Sequence, residues 1–259
     1  MYHFGWFSSG RDPAARQLLS SAYDSIKSGD LDAEIDFVFL NRVPGESAES
    51  DAFINLVSSF GLPLICYSYE RYRKSREPFT SGKFPQWRLN YDKEIMSRLK
   101  EYKPDVCLLA GYMLIVGPDM CRHFDMINLH PAAPGGPTGT WREVILKLIS
   151  SRAAESGVMM HLVTPELDRG PVVTYCTYSL NSRALTPYWQ SLKKTDECTP
   201  LFMAIRQEGL KREFPLVIAT MKVLSNGKVN IVDKTVRDNS GKTLPGFDLT
   251  AEINKYLGI

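Results

Sequence analysis

Apolar residues occur along this chain in short runs, and the runs alternate with stretches where apolar positions recur every three or four residues. The first pattern is that of buried strands and the second that of amphipathic helices. Residues 2–7 predict a first strand, after which Asp12 is placed to cap a helix and Pro13 to occupy its first position. Residues 35–40 predict a second strand, and then Phe53, Leu56, Val57 and Phe60 recur at helical spacing up to Gly61. A third strand covers 64–67, and Tyr91, Ile95, Leu99 and Tyr102 mark a helix that ends ahead of Pro104. Two short apolar strands follow at 106–110 and 126–129. Thr140 and Glu143 have capping-box spacing, with Trp141, Val144, Ile145, Leu148 and Ile149 along one helix face. Residues 158–163 and 172–180 predict late strands, and 199–220 a helix. Asn226-Gly227, between apolar 221–224 and 229–232, predicts a hairpin turning at 225–228.

Strands that alternate with helices predict an α/β fold with right-handed crossovers and a Rossmann-like, mostly parallel sheet carrying helices on both faces. No repeat or low-complexity linker breaks the pattern. The expectation is one catalytic domain over residues 1–220, with a C-terminal hairpin and tail at 221–259 packed on it.

Composition narrows the picture. With 259 residues, 44% apolar and 23% charged, the chain can bury a full core, which excludes disorder, collagen-like repetition and coiled coil. Its 31 basic and 29 acidic residues leave +2, too small a surplus for a broad cationic face that binds nucleic acid. The five cysteines are spread without a C-x-x-C pair, so neither a zinc knuckle nor a disulfide framework is expected; Cys66 and Cys107 lie in apolar runs, as small buried hydrophobes do. No basic N-terminal region leads into a long apolar stretch, and no run approaches the roughly 18 apolar residues of a spanning helix. A cytoplasmic protein with no membrane partner is expected.

Open α/β sheets bind ligands beyond the carboxyl ends of their strands. Three such junctions stand out. At 127–139, Asn128 and His130 lie two apart on an extended segment, so both side chains project to the same side, ahead of a stiff Pro- and Gly-rich loop. An amide donor beside an imidazole suits a developing oxyanion. At 163–171, Asp168 precedes a Gly-Pro turn, where an Asp is commonly an Asx cap. At 108–116 an apolar strand runs into an equally apolar loop, which is either core or the cover of a flat hydrophobic ligand. A fourth stretch, 70–88, carries Arg71, Arg73, Lys74, Arg76, Lys83 and Arg88 against Glu70 and Glu77. It reads as an exposed loop with solvated charges, or as a flap over an anionic ligand. His161 lies inside the 158–163 strand and reads as a satisfied core residue. His3 and His123 have no partner that the sequence identifies, and no metal site is expected.

Asn-Leu-His-Pro on a strand end, Leu-Ala-Gly-Tyr-Met before it and Glu-Leu-Asp-Arg-Gly-Pro-Val after it, in this order and spacing, resemble the 10-formyltetrahydrofolate-dependent formyltransferases. The similarity runs from residue 2 to residue 220 and is nearest to the branch that formylates glycinamide ribonucleotide in purine synthesis. It implies 10-formyltetrahydrofolate as co-substrate and a catalytic trio of Asn128, His130 and Asp168. Folate would be lined by Gly111, Tyr112, Met113, Leu114, Ile115, Val116, Thr164, Pro165 and Glu166, and the acceptor bound by Gly10, Arg11, Asp12 and Gln207. The partner implied is a phosphate-bearing small-molecule amine; the oligomeric state, a homodimer included, stays open. In the implied reaction an amine attacks the formyl carbon, Asn128 and protonated His130 stabilise the resulting O⁻, and Asp168 helps to shuttle protons.

The chain departs from that pattern in its phosphate loop. Gly10-Arg11-Asp12-Pro13 replaces the family's Gly-Asn-Gly-Ser, so Pro13 removes an N–H and Asp12 adds a repelling charge, leaving Arg11 and Arg16 as side-chain donors to phosphate. The loop after His130 is about one residue short, and Leu210 stands where the family has an acidic residue. Folate chemistry is therefore better supported than the acceptor. Transfer to an amino sugar nucleotide and a non-catalytic folate-binding relative are the alternatives. No G-x-G-x-x-G or G-x-S-x-G is present. With about 40 residues after Asn226-Gly227 and a first strand at residue 2, neither the RNA-binding domain of methionyl-tRNA formyltransferase nor the regulatory domain of formyltetrahydrofolate hydrolase is expected.

Overall fold

The structure, a computed structural model, describes residues 1–74, 76, 83–192 and 199–259. Two compact units emerge, one of Met1–Asn128 with Val163–Pro165 and one of Leu129–Leu162 with Glu166–Ile259. The boundary expected at residue 220 falls inside a helix.

The first unit contains β1 (Tyr2–Ser8), α1 (Pro13–Lys27), β2 (Ala33–Leu40), α2 (Ala48–Ser59), β3 (Leu64–Cys66), α3 (Tyr69–Arg73), α4 (Gln86–Arg98), β4 (Val106–Leu109), α5 (Pro118–His123) and the first three residues of β5 (Met126–His130). Its strands lie in the order β5-β4-β1-β2-β3, every pairing parallel. The chain moves outward from β1 through β2 to β3, then returns to the other side of β1 with β4. The carboxyl ends of β1 and β4 therefore flank a topological switch point, where open α/β sheets take their ligands. Burial on both faces explains why these strands read as continuous apolar runs. Phe7, Phe37, Phe39, Tyr91, Ile95, Leu99 and Met120 share one core cluster. As expected, Asp12 caps α1 through the Ala15 N–H at 3.0 Å, with Pro13 at the first turn.

The second unit contains the end of β5, α6 (Trp141–Ser150), β6 (Glu155–Leu162), β7 (Val172–Ser179), α7 (Thr186–Gln190), α8 (Pro200–Ser225), β8 (Val229–Val232), β9 (Thr235–Asp238), β10 (Phe247–Asp248) and α9 (Thr250–Leu257). The strand order is β10-β7-β6-β5, with β6 antiparallel to β7 and β10 parallel to it. The capping box of Thr140 and Glu143 opens α6 as predicted. Val144, Ile145 and Leu148 then pack with Leu201, Phe202 and Ile205 of α8.

A C-terminal hairpin is present, but its turn is not at Asn226-Gly227. Residues 221–224 belong to α8, where Met221, Val223 and Leu224 are buried; Asn226 caps the helix and Gly227 follows at φ +72. Asn-Gly satisfies a left-handed helix stop as well as a hairpin turn, and burial of the last turn of α8 selects the stop. The hairpin pairs β8 with β9 around Asp233 and Lys234, both at positive φ, as a two-residue type I′ turn requires.

Cys107, Cys121 and Cys176 are buried and Cys66 is half-buried, with no disulfide among the described residues; Cys198 lies outside them. Among the described residues no helix is long and apolar enough to cross a membrane.

Candidate active site

Three titratable side chains of the second unit converge. His130, at the end of β5, is buried at 2% exposure. Asp168, on the connection from β6 to β7, sits at φ +54, a left-handed conformation unusual for a residue with a side chain. Its Oδ2 lies 3.8 Å from His130 Nδ1, and its Oδ1 lies 3.7 Å from His161 Nε2. The two imidazoles stand nearly perpendicular, at 85°, with centroids 6.1 Å apart. The Gly139 N–H donates to Asp168 Oδ2 at 3.3 Å. Gly139 is at φ +113 and a Cβ there would fall 2.6 Å from the Glu143 carboxylate, so this donor needs glycine.

Hydrogen-bond chemistry assigns the ring protons. His130 Nε2 lies 2.9 Å from the Pro137 carbonyl; a carbonyl only accepts, so Nε2 carries hydrogen and Nδ1 faces the carboxylate. Protonation of His130 makes that contact an ion pair. His161 Nδ1 donates to the Leu162 carbonyl at 2.9 Å, so the neutral ring turns a bare, buried Nε2 lone pair towards Asp168, with no hydrogen-bond partner among the described residues. Burial pushes the His161 pKa below its ordinary value, against the attraction of Asp168. A lone pair facing a carboxylate oxygen favours an N–H or O–H donor between them, as an amine or a water supplies.

His161 is thus not the satisfied core residue expected from sequence. It is buried as expected, but its Nε2 faces Asp168. The available signal is a titratable side chain in the apolar half of a strand buried at seven of its eight positions. The register of β6 on β7 also shifts between Met160 and His161, an irregularity of the kind that re-aims side chains near active sites. Asn128, half-buried, lies two residues before His130 on β5.

The expected folate and acceptor residues fall mostly in the first unit. A cavity of about 100 Å³ at the carboxyl ends of the strands is lined by Ser9, Arg11, Asn41, Arg42, Tyr69, Glu70, Met113 and Leu114. Asn41 Oδ1 and Arg42 Nε are buried and have no hydrogen-bond partner among the described residues. No motif in the sequence singles out Asn41 and Arg42, which directly follow β2. Of the expected acceptor residues, Arg11 faces this cavity. Gly10 gives its N–H to Ser8 Oγ at 3.2 Å, and Asp12 serves the helix cap. Arg16 is committed to Glu49 at 2.5 Å, which removes it from the phosphate donors expected. Gln207 lies on α8 in the second unit, exposed.

Along the apolar loop Gly111 is exposed, Tyr112 and Val116 are buried, Leu114 and Ile115 are half-buried, and Met113 stands 63% exposed. Burial pushes the Tyr112 phenol well above its usual pKa. Thr164 is half-buried; Pro165 and, in the second unit, Glu166 are exposed.

The basic stretch 70–88 is not one exposed loop. Residues 75 and 77–82 lie outside the described residues. Elsewhere Arg71 pairs with Glu46, Arg73 pairs with Glu70, and Arg76 lies over the Tyr72 ring. Arg88 is buried on α4 and ion-paired with Asp92, because the helix turns it inward to a carboxylate one turn on. His3, without a partner by sequence, lies 2.7 Å from Asp36.

A family model described as formyl transferase matches residues 19–180, which include Asn128, His130 and Asp168. Phosphoribosylglycinamide formyltransferase of Escherichia coli (strain K12) is 31% identical over 150 residues, or 55% of this chain and 64% of that enzyme. The aligned stretch thus spans just under two thirds of that relative. Formyltetrahydrofolate deformylase of Haemophilus influenzae is 26% identical over 178 residues, 64% of this chain and 54% of that protein. The crystal structure of phosphoribosylglycinamide formyltransferase from Coxiella burnetii shares the fold with a TM-score of 0.66 at 20% identity, covering 95% of this chain and 98% of that one.

Proposed function

The chain belongs to the formyl transferase family, and from that premise we propose that it transfers the formyl group of 10-formyltetrahydrofolate to an amine, with glycinamide ribonucleotide as the acceptor. The observation that carries this reading is the Asp168 carboxylate, its side chain 9% exposed, set between the imidazoles of His130 and His161 at 3.8 and 3.7 Å.

The chemistry follows from those groups. Attack of the amine on the formyl carbon forms a tetrahedral intermediate whose former carbonyl oxygen is negative. Protonated His130 and the Asn128 amide are its donors, and Asp168 balances the imidazolium charge. The attacking nitrogen loses a proton, and N10 of the departing tetrahydrofolate gains one. Asp168 Oδ1 and the bare His161 Nε2 are acceptors suited to the first transfer, and protonated His130 is a donor suited to the second. The folate would lie along Gly111, Tyr112, Met113, Leu114, Ile115 and Val116 and along Thr164, Pro165 and Glu166. Arg11 and Arg42 would hold the acceptor phosphate from their side chains, making up for the backbone N–H that Pro13 removes and the negative charge that Asp12 adds. A cytoplasmic location goes with this reading.

The altered phosphate loop favours one second reading, in which water takes the place of the amine and formate is released. The test incubates purified protein with 10-formyltetrahydrofolate plus glycinamide ribonucleotide, an amino sugar nucleotide, or no amine, following deformylated folate by absorbance and formate by a coupled assay. Turnover only with glycinamide ribonucleotide is expected. Turnover only with the sugar amine overturns the acceptor and keeps the chemistry; formate without amine supports the second reading. His130→Ala and Asp168→Asn should each lower turnover on the order of 100- to 1,000-fold with unchanged circular dichroism. A wild-type rate in either variant would refute the catalytic assignment.

A further inference from the structure

Arg88 and Asp92, one turn apart on α4, are each 1% exposed and ion-paired, yet both also reach outside their helix. Arg88 Nη2 donates to the Ile115 carbonyl at 2.5 Å, and Asp92 Oδ2 accepts the Gly117 N–H at 2.7 Å. A Cβ on Gly117 would fall 2.6 Å from that oxygen, closer than any residue with a side chain permits. At the other end of the loop the Ser9 N–H donates to the Gly111 carbonyl at 3.2 Å, and Ser9 Oγ accepts the Met113 N–H at 3.0 Å. Between these tethers Met113 stands in solvent, with Leu114 and Ile115 only half-buried. Tyr112 and Val116 anchor the two sides of the segment in the core, but 113–115 between them has little packing of its own and keeps one shape only if its backbone is held. A buried ion pair is weak evidence for a stabilising role, because apolar residues of similar volume often serve as well. Here the hydrogen bonds of the pair go to the loop.

We propose that Arg88 and Asp92 are positioning residues that hold 111–117 in the shape that receives the folate co-substrate, so that binding does not have to order the loop. The proposal rests on the folate reading of that loop. The test is the double variant Arg88→Met/Asp92→Leu, which removes both charges together and leaves neither buried alone. The expected result is cooperative unfolding as in the wild type, faster hydrogen exchange at the Gly117 amide, and a KM for 10-formyltetrahydrofolate raised about tenfold, the size expected when two or three loop side chains must be ordered on binding. The kcat at saturating folate and the KM for the amine should stay unchanged. An unchanged folate KM with a freed Gly117 amide overturns the proposal, as does a lowered kcat with an unchanged KM. If the double variant does not fold, Arg88→Lys keeps the charge and loses the planar fork; a raised folate KM then supports the clamp and an unchanged one overturns it. Calorimetric titration of wild type with tetrahydrofolate separates the two failures. No binding removes the folate reading and the clamp with it, whereas wild-type binding that the variant matches removes the clamp alone.

Discussion

His161 carries the cost of placing a base in an apolar strand. Its ring is 3% exposed and its pKa is depressed by burial, so the folded protein resists a proton that the unfolded chain accepts near the ordinary value of 6.5. The sign follows by linkage. As pH falls through 6.5 the unfolded state binds more protons than the folded state, and stability declines until the folded ring also titrates. His161→Asn keeps a polar group of similar size and removes this dependence. The urea midpoint of wild type should therefore drop more than that of the variant between about pH 7.5 and about pH 5.5; equal drops would show that His161 is not the group responsible. The burial of His161 was legible in its apolar neighbours. Its outlook onto Asp168 was not, because that depends on a turn seven residues later adopting a left-handed backbone.

Helix ends show how one sequence signal serves two structures. At the end of α6, Arg152 sits at φ +49, its N–H bonded to the Ile149 carbonyl at 3.1 Å, while the Ala153 N–H reaches the Leu148 carbonyl at 3.0 Å. This is a Schellman stop with arginine where glycine is usual. At the end of α8, Gly227 occupies the equivalent position at φ +72 and bonds to the Leu224 carbonyl at 3.1 Å. The left-handed conformation costs a residue with a Cβ about 1–2 kcal/mol relative to glycine. Arg152→Gly should therefore stabilise the protein by about 1 kcal/mol in urea denaturation, after the greater flexibility of glycine in the unfolded chain is set against that gain. A loss of stability would mean that the arginine side chain contributes more than its backbone costs. The capping residues of α1 and α6 were readable from sequence because cap chemistry is local. The end of α8 is not legible in the sequence, because only burial distinguishes a last helical turn from a first strand.

Across the molecule, local stability should follow strand position. In the first unit β1 lies between β2 and β4, and five of its seven residues are buried. By contrast β3 is a three-residue edge strand, only half-buried. In the second unit β10 is an edge strand of two residues. Native-state hydrogen exchange should find the amides of residues 4–7 opening only with global unfolding, and those of β3 and β10 through cheaper local opening. Comparable protection in β1 and β3 would contradict this ranking.

Alternation of apolar runs with helical periodicity was enough to specify the α/β class, the parallel strands of the first unit and most helix starts, because strand and helix periods and caps depend on neighbours in the chain. The three motifs around Asn128, His130 and Asp168 likewise marked the family from one dimension. Which charges are solvated was beyond that reading. Arg88 became a buried clamp, Arg16 was taken by Glu49, and Arg42 and Asn41 came to line a cavity. Burial and pairing depend on which residues distant in sequence the fold brings within a few ångströms, and for a charged side chain that proximity decides its role.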